Sequence, residues 1–310
     1  MLPYLSSCGN AFLEFSLGSC IDSHNGMRLQ LSVSQILSQG QHIPMRQRRV
    51  LQSEAFSRNY DKMKSTFRLL VRDWAAEGKD ERSQCYAPII EEVQSLFSER
   101  SLKEKNGTRI LCPGCGLGRL PWELARKGFA CQGNEFSFQM LLTSNYILNS
   151  SLKPEMFTIY PYIHTSSNHV TRANQLRTVT VPDVVINDPS LCEDFSMAAG
   201  EFVEVYGGEI NSWDCVTTCF FLDTAHSPFE YVRIIYDILK PGGYWVNLGP
   251  LLYHYEESPN ERSVELAFDE VTICIHFYRS LQCIVSISIR DLLPFSLWVL
   301  LRSSGHGANC

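Results

Sequence analysis

The chain is short of the features that mark several broad protein classes. Basic charge is in deficit, with 27 Lys and Arg against 33 Asp and Glu and a formal net charge of −6 over 310 residues. Nucleic acids and anionic membranes both demand a basic face, so neither is an expected partner. Long apolar runs are missing as well. The richest lies between Leu281 and Leu301, and Arg290, Asp291 and Pro294 break it. It never reaches the roughly 18 uninterrupted apolar residues that a membrane helix requires. The N-terminal apolar pieces are interrupted by Glu14 and follow no basic stretch, so a signal peptide is not expected. No His/Cys cluster has zinc-ligand spacing, and no metal is expected. Repeats and low-complexity tracts are also lacking. These absences predict a soluble, cytoplasmic protein.

What is present is a composition of ordinary globular kind, 45% hydrophobic and 19% charged, in a chain long enough to bury a sizeable core. Twelve cysteines are too many to ignore. A disulfide framework belongs to short secreted chains, whereas Cys112, Cys131, Cys215 and Cys219 sit in apolar, strand-like runs where a thiol serves as a small hydrophobe. Reduced, buried thiols are the expectation.

Periodicity divides the chain into four. Residues 1–55 show little, apart from a basic run from Arg46 to Arg49, and are expected to be irregular. Residues 56–108 form a helical region. Met63, Phe67, Leu70, Val71 and Trp74 recur at three- and four-residue spacing, Gly78 marks the stop, and a second helix is expected to follow Pro88. Residues 109–268 read as an α/β domain, in which short apolar strands alternate with helices. Strands are expected at 109–112, 129–133, 213–222 and 244–248, with a short edge element at 202–206. Helices are expected at 119–125, 138–148 and 231–239, with a long, partly irregular insertion over 150–180. Such alternation implies βαβ units and a mostly parallel, doubly wound sheet, a Rossmann-like arrangement with helices preceding it. Residues 269–310 are a tail of different character.

Chemistry concentrates at strand ends. Gly114, Gly116 and Gly118 follow the first strand directly and precede a helix, where glycine allows a sharp turn and close approach of a ligand. A purely structural turn is the rival reading. Glu135 ends the next strand, where a carboxylate can accept bonds from both hydroxyls of a ribose, its rival being a solvated strand-end Glu. Together they indicate a nucleoside crevice without choosing its occupant. An NAD fingerprint wants G-x-G-x-x-G, and here the spacing is G-x-G-x-G. The helix end and tight turn at 239–244 resemble those before the fifth strand of class I methyltransferases, which favours S-adenosylmethionine. Asp223 and His226 lie at the end of the strand over 213–222, and Tyr253 and His254 lie just beyond the following strand. Asp223 and His254 are therefore expected to face one pocket from neighbouring loops. A helix N-cap is the rival role for Asp223, and a structural histidine for His254.

With these stretches in view, the chain resembles the carnosine N-methyltransferase family. The residues that carry the resemblance are Lys64-Ser65-Thr66, Val71-Arg72-Asp73-Trp74, Pro113-Gly114 to Arg119-Leu120, Gln132-Gly133-Asn134-Glu135, Ser196-Met197 to Phe202, Trp213 to His226 and Leu248 to His254. The resemblance implies a class I fold and methylation of the imidazole of β-alanyl-histidine, carnosine to anserine. It implies that Arg72, Gly114, Glu135, Glu201, Phe202 and Cys219 hold S-adenosylmethionine, with Arg72 on the methionine carboxylate. It implies that Asp223 and His254 orient and activate the substrate, with Tyr253 beside them. The implied partner is a small dipeptide, in the cytoplasm and also the nucleus, and a homodimer is open.

Three departures accompany it. Leu69 stands where the family has a glutamine beside the cofactor. Residues 1–55 lack the family's long helical region. Beyond about Phe268 the match stops, which predicts an unpaired sheet edge, a partly open pocket, and the alternative of a catalytically impaired isoform that retains cofactor binding only. An NAD-dependent oxidoreductase is the third reading, disfavoured by the glycine spacing.

Overall fold

A computed structural model describes residues 45–188, 193–280 and 297–302. The expectations for residues 1–44, 281–296 and 303–310 lie outside the described residues. The chain divides into two units, Met1–Asp61 and Lys62–Cys310, and the boundary falls inside the first helix. The sheet and all elements after that helix belong to the second unit.

Helix α1 (Met45–Trp74) starts earlier than the apolar spacing suggests. Residues 45–55, expected to be irregular, are helical, because Arg, Gln, Leu, Glu and Ala are strong helix formers and need no apolar stripe to persist. In its last turns Leu70, Val71 and Trp74 are buried. A 3-10 turn (Ala76–Gly78) follows, and Gly78 is obligatory there: a Cβ would meet the carbonyl oxygens of Val71 and Arg72 at 2.3 Å. Helix α2 (Lys79–Leu96) then begins nine residues before Pro88, not after it. Asp80 and Glu81 in its first turn favour that start through the helix dipole. Its buried face, Arg82, Cys85, Tyr86, Ile89 and Val93, runs unbroken past the proline. Short α3 (Leu102–Asn106), capped by Ser101 and Glu104 in a reciprocal box, leads into the sheet.

Strands β1 (Arg109–Pro113), β2 (Ala130–Glu135), β5 (Ser196–Ala199), β6 (Trp213–Cys219) and β7 (Leu239–Gly249) are parallel, and β8 (Leu297–Arg302) runs antiparallel to β7. The order is β5-β2-β1-β6-β7-β8. The winding reverses beside β1, which opens a crevice between the loops that follow β1 and β6. Helices α4 (Arg119–Arg126), α5 (Phe138–Asn149) and α8 (Pro228–Ile238) connect the strands, and α9 (Phe268–Ser280) follows β7. A two-stranded antiparallel pair, β3 (Phe157–Ile159) with β4 (Val179–Val181), and a turn of helix α6 (Arg172–Gln175) order part of the insertion over 150–180.

Side chains alternate across the sheet with period two. Leu111, Val216 and Trp245 face a core with Phe202, Tyr231 and Ile235, while Ile110, Cys215 and Val246 face another with Ile89, Leu124 and Phe129. Both faces are covered, as a parallel sheet requires.

Two further expectations change. Residues 202–206 form helix α7 (Phe202–Tyr206), not an edge strand, because Glu201 accepts the backbone N–H of Glu204 at 3.0 Å and starts a turn that buries Phe202 and Tyr206 together. The edge belongs to β5. The predicted unpaired edge of β7 is closed: Tyr244 to Gly249 pair with Arg302 to Leu297. An apolar segment in the divergent tail, residues 297–302, supplies the strand. The turn over 240–243 is absorbed into a bulged β7, where the register with β6 shifts between Trp213 and Cys215.

Candidate functional site

All the candidate residues stand at the carboxyl ends of parallel strands or on the last turn of α1. From β1 the chain enters the glycine loop with Gly114, Gly116 and Gly118 at φ +61°, +59° and +82°. These are left-handed conformations that glycine adopts without strain. The loop is anchored where Cys115 N–H donates to the Asn134 carbonyl at 3.0 Å. Glu135 anchors it again. Its Oε2 accepts Gly116 N–H at 3.0 Å, and its Oε1 accepts Phe136 and Ser137 N–H at 2.9 and 2.8 Å. Glu135 is therefore buried rather than a solvated strand end. Burial pushes its carboxyl up, against the pull of the three N–H donors.

Above the loop lies the end of α1, fixed by two buried cations. Arg82 donates to the carbonyls of Arg72 and Ala75, and Arg119 donates to that of Asp73 at 2.8 Å. Both guanidiniums also pair with Asp183. Helix-end carbonyls carry partial negative charge and lack helical donors, so this arrangement satisfies them and sets the last turn in place. Trp74 Nε1 completes it with a bond to the Leu117 carbonyl at 3.1 Å. Arg72 Nε donates to Asp73 Oδ1 at 2.8 Å, and Tyr86 OH donates to the same oxygen at 2.8 Å. Asp73 is fully buried, and its Oδ2 is without a hydrogen-bond partner. Burial works against the Arg72 charge, yet the adjacent Asp73 carboxylate outweighs it and holds the guanidinium above its ordinary value.

A nucleoside bearing an amino-acid arm fits these residues. A Cβ at Gly116 would lie 3.7 Å from Arg72 Nη2 and Leu69 Cδ1 and 3.8 Å from Asp73 Oδ2, so the absent side chain leaves a cradle beneath the helix end. Leu69 lines it, offering no polar contact. At Gly114 the fit is to the protein itself, since a Cβ would meet the Phe221 ring at 2.4 Å.

The loops after β6 and β7 converge. Asp223 lies in a 3-10 turn (Leu222–Thr224) and is buried. It does not cap α8, whose N-cap residue is Ser227. Its Oδ2 accepts Leu252 N–H at 3.1 Å, and its own carbonyl accepts His254 N–H at 3.1 Å. Burial pushes the Asp223 carboxyl up, while the Leu252 N–H and the nearby His254 pull the other way. The His254 side chain is exposed. Tyr253 turns its hydroxyl onto the Leu266 carbonyl at 2.6 Å, tying the loop to the segment before α9. His226 stacks on Tyr255 at 3.6 Å and bonds the Arg262 carbonyl, so it braces the same loop.

Cys219 ends β6. Burial, with Cys85 beside it, pushes its thiol up. Glu201 spends its carboxylate on the α7 N-terminus, and Phe202 packs against Phe221 and Tyr231 with ring centroids 5.3 and 5.1 Å apart. The 240–243 turn is not at this end. It lies before the paired part of β7, with Lys240 Nζ on Asp214 at 2.7 Å, and lines a separate cleft with Phe97 and Arg100.

Sequence reasoning passed over Asp73, Phe221 and the Arg82–Asp183–Arg119 network. It also counts no CxxC pair, although Cys112 and Cys115 have that spacing. Redox pairs of that spacing depress a thiol pKa. Here burial pushes Cys112 up to about 12 and Cys115 well up too, and their thiols contact Thr217 and Met197.

The comparisons with known proteins agree with this geometry. A family model described as Carnosine N-methyltransferase matches residues 49–289. Carnosine N-methyltransferase of Rattus norvegicus is 49% identical over 211 residues, covering 68% of this chain and 52% of that protein. That of Schizosaccharomyces pombe is 47% identical over 240 residues, 73% of this chain and 63% of its own length. Carnosine N-methyltransferase unmet of Drosophila melanogaster is 44% identical over 214 residues, 68% and 46%. The chain thus spans about half to two-thirds of the length of these relatives. With most of its length matched at such identity, and the glycine loop, Glu135 and the Asp223 loop in place, the chain belongs to the carnosine N-methyltransferase family.

Proposed function

We propose that this chain transfers a methyl group from S-adenosylmethionine to an imidazole nitrogen of a histidine-containing dipeptide, converting carnosine to anserine. The observation that carries the reading is the junction of the β6 and β7 loops, where buried Asp223 and exposed His254 meet through the His254 N–H at 3.1 Å. That junction lies at the same carboxyl end of the sheet as the glycine loop, where Phe221, two residues before Asp223, packs against Gly114. The methyl donor, once bound, supplies a sulfonium methyl that needs no further activation.

The chain's own part is alignment. Glu135 keeps one lone-pair site, on Oε2, for a ribose hydroxyl beyond its three backbone donors. Arg72, held charged by Asp73, suits the methionine carboxylate as a planar, multi-donor cation. Asp223 accepts the N–H of one imidazole nitrogen, which fixes the tautomer and leaves the other nitrogen with a free lone pair. Neutral imidazole is abundant near pH 7, so no strong base is needed. As the ring nitrogen bonds to the methyl carbon, that carbon's bond to sulfur breaks and leaves a neutral thioether. The ring becomes cationic, and the Asp223 anion stabilises that charge until the N–H proton passes to solvent. His254, from the neighbouring loop, closes the other side of the substrate.

Family membership and a net charge of −6 also support a small-molecule partner over nucleic acid or an anionic membrane. With β7's edge closed by β8, no observation favours a chain that binds cofactor without turnover. The test is incubation of the purified chain with methyl-labelled S-adenosylmethionine and a panel of histidine peptides. Label in the ring of β-alanyl-histidine is expected. Donor binding without label in any peptide overturns the substrate assignment.

A further inference from the structure

The glycine crevice is overlooked by one carboxylate oxygen that the fold leaves unused. We propose that Asp73 Oδ2 accepts the α-ammonium of the methyl donor's methionine arm, so that Arg72 and Asp73 act as one receptor for an α-amino-acid zwitterion. The inference rests on S-adenosylmethionine being the occupant of this crevice.

Asp73 is fully buried, and its two oxygens are used unequally. Oδ1 accepts Arg72 Nε and Tyr86 OH, both at 2.8 Å. Oδ2 accepts nothing. A buried polar atom without a partner is costly, and one bearing part of a formal charge more so. Such an atom calls for a donor that arrives with the ligand.

Its position says which donor. Measured from the Cβ site that Gly116 leaves vacant, Asp73 Oδ2 is 3.8 Å away and Arg72 Nη2 is 3.7 Å away. An anionic atom and a cationic atom therefore flank the same small space. Their ion pair is made on the far side, through Nε and Oδ1, which holds both free ends toward the loop. A ligand group that complements adjacent minus and plus charges is an ammonium beside a carboxylate, the two ends of an amino acid. Leu69, 3.7 Å from the same point, makes the space apolar on its third side and strengthens both contacts by excluding water. Tyr86 contributes by saturating Oδ1, and burial pushes its phenol well up, so it remains a donor.

The experiment is calorimetric titration of the full chain and of Asp73→Asn with three ligands. S-adenosylhomocysteine has both charged ends, its deaminated analogue lacks the ammonium, and 5′-methylthioadenosine lacks the whole amino-acid arm. The wild-type chain is expected to bind S-adenosylhomocysteine about ten- to a hundredfold more tightly than the deaminated analogue, the range for hydrogen bonds to charged groups. Asp73→Asn should lose that margin while binding the deaminated analogue and methylthioadenosine as the wild type does. Equal wild-type affinity for S-adenosylhomocysteine and the deaminated analogue overturns the proposal, and this comparison needs no variant that folds. Equal losses for all three ligands in Asp73→Asn overturn it too, because they signal a structural role. A wild-type chain that binds none of them overturns the cofactor reading, and this proposal with it.

Discussion

Glu135 and Gly116 are bonded to one another at the heart of the crevice, the Glu135 Oε2 accepting the Gly116 N–H at 3.0 Å. One carboxylate thus ends β2, turns the chain into Ser137, and holds the glycine loop of β1 in its left-handed course. Glu135→Gln cannot satisfy all three donors, because one amide N–H₂ must face a backbone N–H. An unsatisfied buried donor costs about 1–3 kcal/mol, and the glycine loop should loosen. The expected outcome is a folded protein whose affinity for S-adenosylhomocysteine falls at least tenfold by calorimetry. Unchanged affinity would show that the carboxylate shapes the loop without meeting the ligand.

Two glycines of the loop separate structure from binding. At Gly114 an added methyl meets the Phe221 ring at 2.4 Å, and that ring is stacked on Tyr231 at 4.7 Å. Gly114→Ala should therefore destabilise the fold by about 1–3 kcal/mol from overpacking, beyond its backbone strain. At Gly116 the methyl finds room, with its nearest neighbours at 3.7 Å. Gly116→Ala should lower the melting temperature less, by the backbone strain of about 1–2 kcal/mol, yet fill the cradle and abolish donor binding. Thermal melts paired with titrations check the contrast. Equal stability losses in the two variants would contradict it.

What could be read in advance was what depends on short stretches. Strand, glycine turn, helix, and the carboxylate that ends the next strand are local grammar, so Gly114 and Glu135 were legible. The convergence of Asp223 and His254 followed from both lying just past neighbouring strands. Long-range satisfaction was not legible. Asp73 looks like any helix aspartate until Tyr86 and Arg72 are seen to occupy only one of its oxygens. The sequence over 202–206 is rich in β-branched and aromatic residues like a strand, and only the cap from Glu201 turns it into a helix. Pro88 suggested a helix start because proline is common there, but the acidic first turn and continuous buried face of α2 begin earlier. Nothing local in 297–302 names β7 as its partner.

The pairing of β8 with β7 has a direct consequence for stability. Six residues, Tyr244 to Gly249, have their outer edge covered by Leu297 to Arg302. A chain ending at residue 296 exposes that edge, which is a template for pairing with another molecule. It should melt several degrees lower than the full chain and associate with rising concentration. Melting curves and light scattering on the truncated and full chains decide it, and identical behaviour would mean that β8 contributes nothing.

Asp223 sets activity against stability. Burial pushes its carboxyl above the ordinary value, so the fold prefers the neutral form. The sign follows from linkage: the stability of the neutral form is fully present below the ordinary carboxylate pKa of about 4 and is lost as pH rises through the folded value. Above that value the folded chain carries a buried anion that the unfolded chain would solvate freely. Asp223→Asn removes the anion and can still accept the Leu252 N–H through its amide oxygen. It should therefore melt higher than the wild type at neutral pH, and the gap should close as pH falls toward 4. The same change takes away the anion proposed to steady the cationic ring, so turnover should fall roughly a hundredfold, the scale on which a single electrostatic contact to a transition state acts. Affinity for the methyl donor should stay within about twofold if Asp223 serves the substrate, as proposed, rather than the glycine loop. Melts across pH, steady-state rates and donor titration on one variant read all three. Equal losses in turnover and donor affinity would move Asp223 from the substrate's side of the site to the cofactor's.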